Sequence, residues 1–323
     1  MPVIESGYKA PRLLRNPHLH TILCATMRKR PRLPYIRERL ELDDGDFIDL
    51  DWSEINSRRL IILSHGMEGS SQSKYILHTA AHANQCGYSA VAWNMRGCSG
   101  HMNRKQHFYH SGKSEDLHAV VKHAVAKGYA EIYLVGFSLG GNVTLVYTGR
   151  EGKKIHPAIK AVVAVCAPVD LSASQAAIEA PRNRIYLKRF LRDFKKKFLT
   201  KREKRGIYID VDRFDRRIKT LAHLDAKYTA PWNGFADEQD YYTKSSALHV
   251  LENIRIPALL INPKDDTFLA DECYPADIAK RSRYFFMEAP ESGGHCAMLE
   301  NLNFRSSYME KRILEFFSVS ARD

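Results

Sequence analysis

Residues 131–142 of this 323-residue chain have the sequence Glu-Ile-Tyr-Leu-Val-Gly-Phe-Ser-Leu-Gly-Gly-Asn. A short apolar run, typical of a buried strand, leads directly into Gly136-Phe137-Ser138-Leu139-Gly140, and a helix-forming stretch follows it. This pattern and context are those of a nucleophile elbow, where a tight strand-to-helix turn presents a serine hydroxyl above a sheet. The flanking glycines remove side chains that would collide in such a turn. The stretch therefore predicts Ser138 as a nucleophile.

Short β-rich runs alternate with helix-length segments around this turn, which is typical of a parallel sheet covered by helices. The eight predicted strands are Tyr35–Leu42, Phe47–Trp52, Leu60–Ser64, Tyr88–Trp93, Ile132–Val135, Ala161–Cys166, Ala258–Ile261 and Tyr284–Met287. The helix-length segments are Lys74–Gln85, Ser114–Lys127, Leu139–Arg150, Pro275–Lys280 and Phe304–Phe317. The sequence therefore predicts an α/β fold with an eight-stranded, mostly parallel sheet and helices on both faces.

The alternation is interrupted once, between Pro168 and Ala258, by a segment too long for a loop in a compact fold. Residues 182–205 of this segment hold twelve Lys or Arg and two Asp or Glu, which is +10 of the chain's net charge of +12. Apolar residues recur there at helical spacing, so an amphipathic basic helix is expected. The predicted organisation is an N-terminal extension at 1–34 packed on the core, an α/β core at 35–170 and 251–323, and an inserted basic helical cap at 171–250.

The positive charge of residues 182–205 has two interpretations. The plainer one is a solvated outer face, and the other is attraction to an anionic lipid surface or substrate. Nucleic acid is not an expected partner, because a charge stripe without a recognisable binding module is weak support for it. The oligomeric state stays open.

A serine nucleophile needs a base, and the base needs an orienting carboxylate. The apolar strand ending at Ile261 is followed by Asp265 and Asp266, and the strand ending at Met287 is followed by Gly293-Gly294-His295. Carboxyl ends of parallel strands share one edge of the sheet, so these side chains are expected near Ser138. We predict His295 as the base and Asp266 as its partner, with Asp265 as the alternative that more plausibly caps the turn.

An oxyanion hole requires two backbone N–H groups. One is expected from Leu139, which follows the nucleophile. The other is expected from Met67, in the loop His65-Gly66-Met67-Glu68-Gly69 that follows the third strand. We expect His65 to orient this loop by hydrogen bonding.

The cysteine spacing, the N-terminus and the apolar runs are those expected of a soluble protein. The six cysteines contain no CxxC pair, so reduced thiols are expected and neither a zinc-finger spacing nor a disulfide framework is present. No metal site and no cofactor are predicted. The N-terminus lacks the pattern of a signal peptide. The longest apolar run, at 161–167, is far shorter than the roughly 20 residues that span a bilayer. A cytoplasmic location is expected.

Several short motifs in one order resemble the YheT-like branch of the α/β-hydrolase superfamily, from about residue 16 to residue 317. They are Asn16-Pro17-His18-Leu19-His20, His65–Ser70, Asn94–Gly100, Tyr109–Gly112, Gly136–Asn142, Asp240-Tyr241-Tyr242 with Ser245-Ser246, and Gly293-Gly294-His295. The resemblance implies the hydrolase core, a helical cap and the triad Ser138, Asp266 and His295 inferred above. It also implies an esterase-like or lipase-like enzyme acting on acyl esters.

Together these observations predict a serine hydrolase that cleaves carboxylic esters through an acyl-enzyme. The alternatives are a thioesterase or a lipid acyl hydrolase whose basic cap recruits anionic interfaces, and a non-catalytic binding protein that has kept the fold. Activity is expected to fall as the pH drops through an imidazole pKa near ~6.5.

Overall fold

The computed structural model describes residues 2–212 and 214–320. Within them, nine strands form one sheet. The strands are β1 (Val3–Ile4), β2 (Ile36–Glu41), β3 (Phe47–Ser53), β4 (Arg59–Ser64), β5 (Ser89–Asn94), β6 (Glu131–Phe137), β7 (Ile159–Val165), β8 (Ala258–Ile261) and β9 (Phe285–Glu288). Their spatial order is β1-β9-β8-β7-β6-β4-β5-β3-β2, with β3 antiparallel to both of its neighbours and the other pairs parallel.

The predicted α/β-hydrolase fold class is confirmed, and each of the eight predicted strands is present with ends shifted by at most two residues. The predicted number of strands was wrong by one, because Val3 and Ile4 form a further strand, β1, parallel to β9. Two residues are too few to show an alternating pattern. Only pairing with the edge of the sheet gives them a strand conformation.

Twelve α-helices of the described residues surround the sheet. They are α1 (Pro17–Met27), α2 (Lys74–Gln85), α3 (Ser114–Ala126), α4 (Leu139–Glu151), α5 (Leu171–Glu179), α6 (Arg184–Arg205), α7 (Phe214–Arg217), α8 (Leu221–Leu224), α9 (Ala230–Trp232), α10 (Glu238–Ser245), α11 (Ala276–Arg281) and α12 (Tyr308–Ser320). Across residues 2–212 and 214–320, no helix combines the length and the apolar composition needed to cross a bilayer.

The sheet has an apolar layer on each face. Leu60 and Ile62 of β4 belong to one buried cluster, whereas Ile61 and Leu63 belong to the other. Successive side chains of a strand point to opposite faces, so this alternation requires helices on both sides. Helices α3 and α4 contribute to the first cluster, and α2 and α12 contribute to the second. Because the helices cover the two faces, the carboxyl edge of the sheet is left to the loops, which carry the predicted catalytic residues.

The segment between β7 and β8 is helical, from α5 to α10. Its longest helix, α6, buries Leu187, Phe194 and Phe198 in the cluster to which α4 also belongs. Phe198 is surrounded by aromatic rings, with centroid distances of 4.8 Å to Tyr228 of the same segment and 5.5 Å to Phe108 of the core. Helix α6 is therefore attached to the core through an aromatic interface, and its apolar stripe lies where the sequence spacing predicts it.

Residues before β2 pack on the core through a buried ion pair. In this segment, the side chain of Asn16 accepts a hydrogen bond from the N–H of Leu19 and caps α1, and Pro17 begins the helix. Just after α1, the Arg28 guanidinium donates to both carboxylate oxygens of Glu310 on α12, with Nη2 2.7 Å from Oε2. Arg28 is 1% exposed and Glu310 is 5% exposed. Helix α1 was not among the predicted helices, although Asn16-Pro17 is a helix-start signal.

We predict that Arg28→Met lowers the free energy of unfolding by about 3–5 kcal/mol, because it leaves the Glu310 carboxylate buried without its partner. Urea unfolding measures this difference. Arg28→Met combined with Glu310→Leu should recover most of the loss, since neither charge then remains buried. The exposed neighbour Arg30 is the control, and Arg30→Met should change stability by less than about 0.5 kcal/mol. Equal stability of Arg28→Met and wild type would show that this pair does not attach the N-terminal segment.

Candidate active site

Ser138 lies between the end of β6 and the first residue of α4, and its backbone has φ 55° and ψ −125°. A positive φ is uncommon for a residue with a side chain and stores strain that the surrounding structure must hold. The turn is therefore a sharp change of direction from strand to helix. This is the geometry that the G-x-S-x-G pattern predicts.

The two glycines of the pattern allow close backbone contacts. A Cβ atom on Gly136 would lie 2.2 Å from the carbonyl oxygen of Gly140. A Cβ atom on Gly140 would lie 2.4 Å from the carbonyl oxygens of both Ser64 and His65. No side chain fits at either position, so α4 can approach the end of β4 only with glycine at these sites.

The structure brings Ser138, His295 and Asp266 into one chain of hydrogen bonds. The Oγ of Ser138 lies 2.9 Å from Nε2 of His295, and Nδ1 of His295 lies 2.8 Å from Oδ2 of Asp266. The second carboxylate oxygen of Asp266 accepts the backbone N–H of Phe268 at 3.0 Å. Asp265 instead accepts the N–H of Gly294 at 2.9 Å and so supports the loop that carries the histidine.

The carboxylate determines how the imidazole is protonated. A carboxylate can only accept, so Nδ1 carries the hydrogen, and in the neutral ring Nε2 is left to accept from the Ser138 hydroxyl. Burial by itself lowers the pKa of His295, but the Asp266 charge, aided by the neighbouring Cys296 sulfur, outweighs it and raises the pKa to about 9. The value near 6.5 expected from an unperturbed imidazole is therefore too low for this site.

The loop after β4 holds Met67 beside the serine. The buried His65 donates from Nδ1 to the Gly66 carbonyl at 2.8 Å, while its Nε2 accepts the N–H of Met95 at 3.1 Å. Burial lowers the pKa of His65 to about 4, so the ring is neutral and both bonds persist. In a trans peptide the carbonyl and the next N–H point in opposite directions. Fixing the Gly66 oxygen thus fixes the direction of the Met67 N–H.

Leu139 supplies the other predicted oxyanion donor. It is the first residue of α4, and the first N–H groups of a helix have no partner within the helix. The helix dipole at this end also favours negative charge. Met67, Leu139 and Ser138 line the same cavity. Both predicted N–H groups therefore belong to the residues that surround the serine.

Lys197 of the cap reaches the loop after β4, a contact that was not predicted from the sequence. Lys197 of α6 is buried, and its Nζ donates to the Glu68 carboxylate at 2.5 Å. The Tyr109 hydroxyl accepts the Glu68 N–H at 2.8 Å and donates to the same carboxylate at 2.7 Å. The signal was present, because Lys197 follows Phe194 by three residues and thus falls on the apolar stripe of α6. The basic charges of this helix are therefore not all on an outer face.

The helix α1 also contacts the site. The Thr21 hydroxyl accepts the backbone N–H of His295 at 2.9 Å and donates to the Pro17 carbonyl at 2.7 Å. Gly294 completes the contact, because a Cβ atom there would lie 2.7 Å from the Thr21 oxygen. The N-terminal segment thus helps to hold the loop that carries the histidine.

Two clefts meet at Ser138. The first lies beneath the cap and is mainly apolar, with walls formed by Leu171, Ile178, Phe190, Phe194, Leu221, Leu224 and Phe268. The second, of about 230 Å³, runs between the loop after β4 and α1. Its lining includes the cationic side chains Lys74 and Arg189 beside His295. The serine is therefore reached by two clefts, of which only the second is lined by lysine and arginine side chains.

Comparison with known proteins places the chain in the α/β-hydrolase family. A family model of the alpha/beta hydrolase fold matches residues 59–302. The chain is 31% identical to YheT of Escherichia coli strain K12, which is provisionally named an esterase, over 94% of this chain and 91% of that protein. It is 28% identical to the mouse phospholipase ABHD3 over 92% of this chain and 74% of that protein. Among solved structures, the esterase Pf2001 of Pyrococcus furiosus matches with a TM-score of 0.58 and 17% identity, covering 91% of this chain and 98% of that one.

We predict that kcat/KM for a soluble nitrophenyl ester rises with pH to an apparent pKa near 9, above the ordinary imidazole value of about 6.5. Below this pKa, Nε2 of His295 carries a proton and cannot accept one from Ser138, so the active fraction grows as the pH rises. The midpoint is obtained from initial rates measured over a pH range that includes both pKa values, after correction for spontaneous hydrolysis. In Asp266→Asn the midpoint should move down, because the carboxylate charge is lost. A wild-type midpoint at or below the ordinary value would contradict the prediction.

Proposed function

Since this chain belongs to the α/β-hydrolase family, in the branch that includes YheT, we propose that it hydrolyses carboxylic esters through an acyl-enzyme on Ser138. Its membership, with relatives named as esterases and phospholipases, supports hydrolase activity. The observation that carries the finer proposal is the hydrogen-bond chain from Ser138 through His295 to Asp266. A serine, a base and an orienting carboxylate at these distances are the groups that acyl transfer requires.

The proposed reaction has two halves. Nε2 of His295 takes the hydroxyl proton as the Ser138 Oγ attacks the ester carbonyl, and the same nitrogen then returns that proton to the departing alcohol. Water enters, loses a proton to Nε2 and attacks the acyl-enzyme, and the proton returns to Ser138 as the acid leaves. Asp266 keeps Nδ1 protonated throughout. Each step uses protein groups and water, so the mechanism needs no cofactor.

The negative oxygen formed in each half is placed between the N–H groups of Met67 and Leu139. These donors are held before the reaction by His65 and by the helix start, so little reorganisation accompanies charge development. The buried pair of Lys197 and Glu68 holds the other side of the same loop. Donors fixed in this way stabilise the transition state more than the ground-state carbonyl.

The two clefts suggest how the substrate lies. The apolar cleft beneath the cap suits the acyl chain, because its walls are aliphatic and aromatic side chains. The cleft beside α1 suits the alcohol portion, since it adjoins His295, which must protonate the leaving group. The walls of the first cleft come from α5, α6 and α8, so the cap sets the acyl specificity.

A lipid acyl hydrolase acting at an anionic surface is the second candidate. It is favoured by a surface where exposed Leu19 and Ile22 of α1 lie near α6, which carries exposed basic side chains. The two helices touch through the stacked rings of His18 and Tyr186, whose centroids are 5.7 Å apart. Apolar side chains beside a basic face are typical of segments that bind anionic membrane interfaces. This surface borders the cleft beside α1, where Thr21 and Arg189 lie.

The first test is covalent labelling. A fluorophosphonate probe should label wild type on Ser138, and Ser138→Ala should lose both labelling and ester hydrolysis, the latter by about 10⁴-fold or more. Ser172→Ala, which removes an exposed hydroxyl on α5, is the matched control and should behave as wild type. Labelling is followed by mass spectrometry of the modified peptide. A folded wild type that takes no label would favour a non-catalytic binding protein.

The second test separates a soluble ester from a lipid surface. We predict that wild type binds vesicles containing phosphatidylserine, binds phosphatidylcholine vesicles less, and loses the difference at high salt. Lys188→Glu with Lys196→Glu on α6 should weaken binding at least tenfold, since each basic residue near an anionic surface contributes about 1 kcal/mol. Lys153→Glu with Lys154→Glu makes the same charge change before β7, at the opposite edge of the sheet, and should have little effect. Vesicle sedimentation measures binding, and equal weakening by both pairs would contradict a localised surface.

Acyl release from the same vesicles, from nitrophenyl esters and from acyl-thioesters then identifies the preferred bond. Faster release from anionic vesicles than from the soluble esters supports the lipid candidate. A preference for the thioester supports the thioesterase.

A further inference from the structure

Two cysteines lie beside the imidazole of His295. Cys166 directly follows β7, and Cys296 is the residue after the histidine. One ligand atom from each of these three residues lies within 4.8 Å of the other two. The Sγ of Cys166 also accepts the backbone N–H of Cys296 at 3.1 Å. Folding thus brings two thiols and an imidazole together across 130 positions of the chain.

The two thiols and the imidazole are ligands that zinc prefers in proteins. Two cysteine sulfurs and one histidine nitrogen bind Zn²⁺, and sites with three protein ligands keep the fourth position for water or substrate. Tetrahedral bond lengths place such ligand atoms roughly 3.5–3.8 Å apart. The present spacing of up to 4.8 Å therefore closes with a movement of about 1 Å, which side-chain rotation and a small loop shift supply.

The hydrogen bond to Asp266 selects the nitrogen. A histidine that binds a metal almost always donates its other N–H to a carboxylate or a carbonyl. Here Nδ1 of His295 is held by Asp266 at 2.8 Å, which leaves Nε2. The carboxylate that orients the proposed base would also orient a metal ligand.

An ion can reach this point from solvent. His295 and Cys296 line the cleft of about 230 Å³ beside α1, together with Ser138. Cys166 is fully buried behind them. The three groups therefore form the inner end of an open cleft, and a fourth ligand position would face the cleft where water enters.

We propose that Cys166, Cys296 and Nε2 of His295 form a binding site for Zn²⁺ or another soft divalent cation, and that its occupation reversibly inhibits the enzyme. The inhibitory effect, though not the binding, rests on the proposed function. On binding, each thiol releases its proton to solvent and donates a sulfur lone pair to the ion. Nε2 likewise releases any proton it carries to solvent, and its lone pair, which otherwise accepts the Ser138 proton, becomes the third bond. Ser138 then has no base.

The test uses the full-length protein, reduced with a phosphine and freed of metal by a chelator that is then removed. Co²⁺ is added first, because thiolate-to-cobalt absorption in the near ultraviolet reports sulfur ligands directly. We expect one equivalent to bind, Zn²⁺ to displace it, and the rate on a nitrophenyl ester to fall in proportion to Zn²⁺ occupancy. Chelator should restore the rate. Absence of the thiolate absorption in folded wild type would overturn the proposal whatever the variants do.

Variants locate the ion. Cys166→Ala and Cys296→Ala should each weaken Co²⁺ and Zn²⁺ binding by at least 100-fold, with inhibition normalised to the metal-free rate of that variant. Asp266→Asn should weaken binding 10–100-fold, as expected for loss of the group that orients a metal-binding histidine. Cys86→Ala, which removes the exposed thiol, is the matched control and should bind and be inhibited as wild type is. Thermal unfolding shows that each variant is folded, and inhibition that survives in both cysteine variants would overturn the proposal.

Ser138→Ala separates this inference from the proposed function. Its hydroxyl is not a ligand, so the variant should bind Co²⁺ at least as tightly as wild type while it takes no fluorophosphonate label. An active enzyme without metal binding would refute the metal site alone. Metal binding by a wild type that takes no label would refute the serine mechanism alone.

Discussion

The 2.8 Å hydrogen bond from Nδ1 of His295 to Asp266 fixes which nitrogen of the imidazole faces Ser138. The Asp266 charge, together with the Cys296 sulfur and this hydrogen bond, raises the pKa of the ring to about 9 against the opposing effect of burial. Both proposals depend on this hydrogen bond, because the same Nε2 lone pair serves either as the base for Ser138 or as a ligand for a cation held by Cys166 and Cys296. A carboxylate 29 residues before the histidine in the chain therefore determines the chemistry at the other side of its ring.

Side chains from both the core and the cap hold the loop after β4 in place. From the core, His65 holds the Gly66 carbonyl, and from the cap, Lys197 holds Glu68. Removing one partner of a buried ion pair typically costs about 3–5 kcal/mol, since the other charge remains buried. The cap is thus more than a wall of the apolar cleft. A movement of α6 large enough to open that cleft would also release one anchor of the loop that we propose to stabilise the negative oxygen.

The N-terminal segment has a comparable role on the other side of the serine. Thr21 of α1 holds the backbone of His295, and Arg28 attaches the end of this helix to α12. The loop that carries the histidine is therefore supported by residues from both ends of the described chain. The cleft beside α1 owes its wall to this arrangement, and the exposed apolar side chains of α1 lie next to its entrance.

Local pattern by itself determined much of this molecule. Ser138 could be singled out because a glycine-flanked turn between a strand and a helix allows few alternatives. Eight strands could be placed because short β-rich runs alternate with turn signals and helix-length segments. Asp266 and His295 could be proposed because parallel strands end at one edge. The strand at Val3, the contact of Lys197 with Glu68 and the meeting of Cys166 with Cys296 required the folded chain. Each of these three contacts joins segments that are distant in the chain. Periodicity and residue spacing describe only local sequence, so they do not show which distant segments become neighbours.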